Sequence, residues 1–146
     1  KIEDTFINDI ERLELAKTIF KKFKNVKVSD IEFKMSKPNF TIDTLKEFKK
    51  IHKYNNLILL IGEDNLVGFK KWKDYERIIE IAEVYVYPRD TNHKIPGEIL
   101  KNENIKLVDA PKIKISSSHI RSLLKENKKI DHLVPKEVIN FFDSKI

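Results

Sequence analysis

The strongest constraint on this chain is residues 56–61, Asn-Leu-Ile-Leu-Leu-Ile, in which the residues after Asn56 form an unbroken apolar run that stops at Gly62. A run this short, bounded by a glycine and lacking alternation, predicts a central parallel strand buried on both faces by helices. Gly62-Glu63-Asp64 comes directly after it. In open parallel sheets, ligands bind beyond the carboxyl ends of the strands, where a glycine lets them come close to the backbone. The same three residues also suit an ordinary strand-to-helix turn in which Asp64 is a cap. Both readings stay open at this point.

Other segments alternate around that run. A helix capped at Asn8 or Asp9 carries Ile10, Leu13, Ala16, Ile19 and Phe20 at mostly helical spacing. Val26, Val28, Ile31, Phe33 and Met35 alternate, with a slip at Ser29-Asp30, and predict one strand or two short ones. Pro38 breaks that pattern, and a helix comes next with Thr41 or Asp43 at its start and Ile42, Leu45 and Phe48 inward. Phe69 and Trp72 share a face, and a helix from Asp74 carries Tyr75, Ile78, Ile79 and Ala82. Residues 83–87 read as another strand, with Arg89 just past its end, and residues 91–98 read as a loop. Residues 105–108 and 113–115 supply a last strand, and Pro135 suits the first turn of a closing helix. Strands alternating with helices predict a parallel α/β sheet.

Residues 115–121, Ile-Ser-Ser-Ser-His-Ile-Arg, put three hydroxyls and a guanidinium at the start of a helix anchored by Ile120, Leu123 and Leu124. Free N–H groups and the positive end of the helix dipole make such an N-terminus suited to anions. The plainer reading is that Ser116 or Ser117 only caps the helix and Arg121 is a surface charge. Thr41 and Thr44 admit the same pair of readings: caps, or hydroxyls facing a ligand. Trp72 is either core or a platform for a planar ring.

Composition narrows the classes. Of the 146 residues, 40% are hydrophobic and 36% charged, as in a globular protein of one domain with a real core. No apolar run approaches the ~20 residues that span a bilayer, so no membrane role is expected and a cytoplasmic location is. With no cysteine there is neither a disulfide nor a Cys-based metal site, and the four histidines lack ligand spacing. The net charge of +6 comes from scattered lysines, with arginine only at 12, 77, 89 and 121. Nucleic-acid readers concentrate arginine and exposed aromatics on one face, so the scattered lysines count against one. A small polyanionic ligand and a nucleic acid fit the charge equally well, and the charge alone does not decide between them. There is no Walker loop, no G-x-G-x-x-G and no G-x-S-x-G. The triple serine has no base placed beside it by local spacing, so it suits holding a group better than attacking one.

Residues 115–121 resemble the I-S-S-T-x-I-R signature of the nucleotidylyltransferase superfamily, with Ser118 in place of threonine. More narrowly, the chain resembles the bacterial nicotinate-nucleotide adenylyltransferases. Residues 39–45 (Asn-Phe-Thr-Ile-Asp-Thr-Leu) are similar to that family's aromatic-Thr-x-x-Thr-Leu segment. Residues 60–66, with Phe69, Trp72 and Tyr75, are similar to its I-G-x-D-x-L block and the aromatics after it. Arg89 stands where the family has an arginine after a strand, and Leu133-Val134-Pro135 resembles its L-[LV]-P. These blocks come in the family's order and span the chain.

The resemblance implies a Rossmann-like parallel sheet with helices on both faces, and transfer of AMP from ATP to nicotinate mononucleotide with release of pyrophosphate. It implies that Ile115, Ser116, Ser118 and Arg121 hold the ATP phosphates, with Ser116, Ser118 and Arg121 as the catalytic set. Magnesium would ride mainly on those phosphates, with no metal ligands assigned to the protein. Gly62 and Asp64 would hold the mononucleotide's ribose and Trp72 would stack on its pyridine ring. Thr41, with backbone N–H groups near Trp72 and Lys73, would meet the carboxylate. Thr44 would support that pocket and Arg89 would contact the ligand. The family's N-terminal strand and Gly-rich H-x-G-H turn, whose histidines contact ATP, have no counterpart here. The expectation is therefore a single domain over residues 1–146, missing that segment and inactive alone. Two alternatives stay open: a pantetheine-phosphate or flavin-forming relative, and a non-catalytic nucleotide-binding or RNA-binding domain. A homo-oligomer is compatible with the sequence.

Overall fold

A computed structural model describes residues 7–53, 55–89 and 95–144. The chain divides into two compact units, one from Ile31–Lys114 and one from Lys1–Asp30 with Ile115–Ile146. Among the described residues no helix is long and apolar enough to cross a membrane.

The Ile31–Lys114 unit contains three parallel strands in the order β1 (Leu57–Gly62), β2 (Ala82–Tyr87) and β3 (Ile105–Leu107). The second unit opens with helix α1 (Asp9–Phe20). In the sheet-bearing unit, helix α2 (Thr41–Ile51) precedes β1, and the one-turn α3 (Glu63–Val67) leaves it. A short 3-10 turn (Phe69–Lys71) leads to α4 (Tyr75–Ile81), which feeds β2. Period-2 geometry sends alternate side chains to one side, so Ile61, Ala82, Val84, Val86 and Ile105 join Ile42, Leu45, Leu66, Phe69, Ile78 and Ile79 in one core. Asn104 ties α4 to the sheet, because its Nδ2 donates to the Ile79 carbonyl at 3.1 Å while Val84 N–H donates to the Asn104 carbonyl at 2.7 Å.

Besides α1, the second unit holds α5 (Ser117–Lys125) and α6 (Lys136–Asp143). Asn8 and Glu11 close a reciprocal capping box at 2.9 Å each way, which starts α1 where the sequence predicts it. Lys22 Nζ reaches Glu137 at 3.2 Å and ties the end of α1 to α6.

Three expectations change. First, residues 26–35 form no strand; a 3-10 turn occupies Ile31–Lys34, and Val26 and Phe33 are exposed. Alternation stabilises a strand only when a neighbour accepts its ladder, and here Asn39 Nδ2 instead holds the Glu32 carbonyl at 2.9 Å in a turn. Second, β1 is not buried on both faces. It pairs with β2 alone among the described residues, and Ile58 and Leu60 are 55% and 63% exposed. Third, residues 113–115 extend no strand, and Ile113 is exposed. Of the loop expected over residues 91–98, positions 91–94 lie outside the described residues, with His93 among them.

Phe69 is fully buried, with its ring 5.2 Å from that of Trp72 and 6.1 Å from that of Tyr75. Phe69→Ala should therefore lower stability by about 3–5 kcal/mol, read from urea melts, because it opens a cavity beneath both rings.

Candidate functional site

The parallel pairing of β1 with β2 runs from Leu57 opposite Ala82 to Gly62 opposite Tyr87. Both strands therefore end at one level, and the residues leaving them lie side by side. Arg89 Nη1 stands 3.8 Å from Asp64 Oδ1, and the Arg89 backbone N–H donates to Glu63 Oε2 at 2.9 Å. Gly62 lies beneath them. A Cβ on it would stand 2.3 Å from Asp64 Oδ1 and 2.9 Å from the Arg89 Cδ. Its φ of −78° is open to any residue, so the glycine is required by close approach and not by backbone conformation. The three sequence-predicted residues Gly62, Asp64 and Arg89 thus form one cluster. Asp64 lies in the first turn of α3, whose N-cap is Gly62, so its carboxylate is not spent on a side-chain cap.

A second group gathers around the start of α2. Thr41 is its first helical residue, after Phe40, which makes no side-chain cap. Asp43 in the same turn accepts from Lys73 Nζ at 2.8 Å, and that ammonium lies 4.6 Å from the Phe40 ring centroid. Lys73 comes after Trp72, which is half-buried against Phe69. The structure therefore brings Thr41 and Lys73 into one neighbourhood. Two details bear on their expected roles. The Trp72 N–H already donates to the Phe69 carbonyl at 2.9 Å, which leaves the Lys73 N–H as the backbone donor better suited to a carboxylate. Thr44 Oγ1 donates to Glu32 Oε1 at 2.7 Å, so its hydroxyl braces the turn before α2, a supporting position. On the other side of the turn, Lys70 Nζ lies 2.7 Å from Glu98. That hydrogen bond, together with the charge of Lys70, holds the Glu98 carboxyl below its usual range, and the same bond with the charge of Glu98 raises the Lys70 ammonium above its own.

In the other unit, Ser116 Oγ accepts from the His119 N–H at 3.1 Å and caps α5. The cap reading of this serine is therefore correct, but it does not exhaust the hydroxyl, which keeps a proton to donate and a second lone pair. Ser118 is exposed on the first turn of the helix, and its Oγ receives Arg121 Nη2 at 3.2 Å. Ile115 precedes the cap with its side chain about one-third exposed. Ser116, Ser118 and Arg121 thus share one helix end that presents hydroxyls and a fixed cation, as their spacing predicts.

Sequence reasoning passed over two residues. Glu63 fixes the backbone at Arg89, and Asp43, read as a helix-start residue, holds Lys73. Neither has a local signal, since the partners are 26 and 30 residues apart.

Residues 1–123 match the family model described as cytidylyltransferase-like. A protein from Flavobacterium psychrophilum named "Probable nicotinate-nucleotide adenylyltransferase" is 36% identical over 98% of this chain and 74% of its own length. One of the same name from Christiangramia forsetii is 38% identical over the same shares. A solved structure from Vibrio parahaemolyticus, described as that of "a Putative Nicotinate-nucleotide Adenylyltransferase", has a similar fold, with a TM-score of 0.62 and 24% identity over 86% of this chain and 67% of that one. With its parallel strands, its Gly62–Asp64–Arg89 cluster and its serine-rich helix start, this chain belongs to the cytidylyltransferase-like family.

Proposed function

We propose that the chain transfers AMP from ATP to nicotinate mononucleotide, giving nicotinate adenine dinucleotide and pyrophosphate in the synthesis of NAD. The observation that carries this reading is the Gly62–Asp64–Arg89 cluster at the level ends of β1 and β2. It supplies a close backbone approach, a carboxylate for sugar hydroxyls and a cation for a phosphate. The names of the relatives support the same activity.

In this reaction a phosphate oxygen of the mononucleotide attacks the α-phosphorus of ATP. The new P–O bond forms as the bond to the β-phosphate oxygen breaks, and pyrophosphate carries that electron pair away. No nucleophile from the protein is needed, so the chain contributes positioning and charge stabilisation. The α5 start donates Ser116 and Ser118 hydroxyls and the Arg121 guanidinium to ATP phosphates, with Ile115 setting the chain's entry. Asp64 takes the mononucleotide's ribose beside Gly62, and Arg89 takes its phosphate. Trp72 stacks on the pyridine ring, while the Thr41 hydroxyl and the Lys73 N–H receive the carboxylate. An N–H donor prefers a carboxylate to an amide carbonyl, which favours the acid over the amide substrate.

Among the described residues no group of three or more His, Asp or Glu gathers into a cation cage. Magnesium fits this chain as the counter-ion of ATP, because it keeps several waters and asks few protein ligands. There it supplies neutralisation of phosphate charge. The reading also implies a cytoplasmic protein.

An assay of the full-length gene product with ATP and nicotinate mononucleotide, following pyrophosphate, should show turnover. Turnover on phosphopantetheine in its place would refute the assignment. Trp72→Ala should raise KM for the mononucleotide far more than KM for ATP, and an equal rise in both would make Trp72 core alone. Gly62→Ala should fold normally by circular dichroism yet lose mononucleotide affinity, since its Cβ displaces Asp64 and Arg89. Arg121→Ala should cut kcat/KM for ATP by about 1.5–3 kcal/mol, the loss of one charged hydrogen bond, measured by steady-state kinetics.

A further inference from the structure

The segment that carries Trp72 and Lys73 does not hold its shape by local preference alone. Asp74, directly after it, sits in the left-handed region at φ 49° and ψ 44°, a conformation that L residues adopt sparingly. It also makes no side-chain cap to α4, so the strain there has no local return. Besides its local bond from the Trp72 N–H to the Phe69 carbonyl, the turn is held from outside. On one side Phe69 packs against the Trp72 ring, and at the front of the turn Lys70 is tied to Glu98. At its rear, Lys73 is held by Asp43 at 2.8 Å and lies over the Phe40 ring.

Asp43 and Phe40 flank Thr41 in the chain, one on the first turn of α2 and the other just before it. The Lys73 side chain therefore joins the two segments that this reading assigns to the substrate carboxylate: the Thr41 hydroxyl and the Lys73 N–H. We propose that Asp43, with Phe40, is a positioning residue that latches Lys73 and so sets the spacing of the carboxylate pocket for the mononucleotide. The proposal rests on the substrate reading above. The latch itself is a property of the protein without substrate.

Exposure tells where its effect should appear. The side chains are 43% exposed at Lys73 and 33% at Asp43, so solvent screens the pair and global stability gains little from it. A pair of this kind shifts the population of a local geometry, and that is felt in affinity for whatever needs the geometry. A neutralised Lys73 also removes a positive charge that would otherwise hold a carboxylate indiscriminately. The N–H and hydroxyl are then left to judge shape.

Trp72 is the only tryptophan of the chain, so it reports on the turn directly. The test uses Asp43→Asn, Lys73→Met and the charge-exchanged double variant Asp43→Lys/Lys73→Asp in the full chain. In substrate-free protein, both single variants should make Trp72 more accessible to acrylamide quenching, with melting temperatures unchanged. In turnover, both should raise KM for nicotinate mononucleotide about three- to tenfold while KM for ATP holds, as expected for losing a half-exposed ion pair backed by a ring contact. The exchanged pair should restore quenching and most of the KM. Unchanged quenching and KM in Asp43→Asn would overturn the latch, as would parallel losses in both KM values and the melting temperature. A neutral Asp43→Asn beside an impaired Lys73→Met and an unrescued double variant would also overturn it, because Lys73 would then bind the ligand itself. If a single variant fails to fold, the exchanged pair decides. A wild-type protein inert toward the mononucleotide would refute the substrate reading, and the quenching comparison would still settle the latch.

Discussion

The parallel ladder between Leu57–Gly62 and Ala82–Tyr87 fixes where the chemistry of the Ile31–Lys114 unit lies. Because the two strands run the same way and stay in register, both deliver their next residues to one edge. Gly62, Glu63 and Asp64 leave β1 there, and Arg89 arrives from β2. An antiparallel pair would have sent Arg89 to the far end of the sheet. The buried side chains of the ladder, Ile61, Val84 and Val86, hold this register, since a slip by one residue would turn them out of the core. Tyr87 adds a tie beyond the ladder, its hydroxyl donating to the Pro111 carbonyl at 2.7 Å.

Among the described residues, the candidate groups of the Ile31–Lys114 unit are of kinds suited to holding a substrate. Close backbone approach, carboxylate, guanidinium, hydroxyl and aromatic face are the donors and platforms of substrate positioning. That suits a reaction in which one phosphate attacks another and the protein forms no bond. The serine-rich start of α5 has the same character. Ser116 is spent partly on its cap and Ser118 faces Arg121, so hydroxyl and cation are already organised toward one helix end. Organisation before binding is what makes such donors effective.

Much of this was legible in the residue order. The short apolar run ending in glycine is a strand, and the capping box at Asn8 and the serine cap at α5 are local hydrogen bonds between neighbours in sequence. The failures have one cause. The alternation over residues 26–35 and the run at β1 imply a neighbouring strand or a covering layer, which the described residues do not supply. Whether alternating side chains form a strand depends on what lies beside them, and the residues themselves do not encode that. For the same reason Asp43 read as a simple helix-start residue. Its partner Lys73 is 30 residues away, and charge alone does not say which of many lysines it meets.

The sequence by itself determined the helix starts, the parallel α/β character and the identity of the side chains at the strand ends. These depend on capping bonds and hydrophobic spacing within a few residues. The tertiary structure alone decided that Arg89 folds over Gly62 beside Asp64, that the Trp72 N–H is committed to Phe69, and that Asp43 claims Lys73. Those outcomes depend on strand register and on packing across the core. Such distances are set only when the whole unit closes around Phe69 and its neighbours.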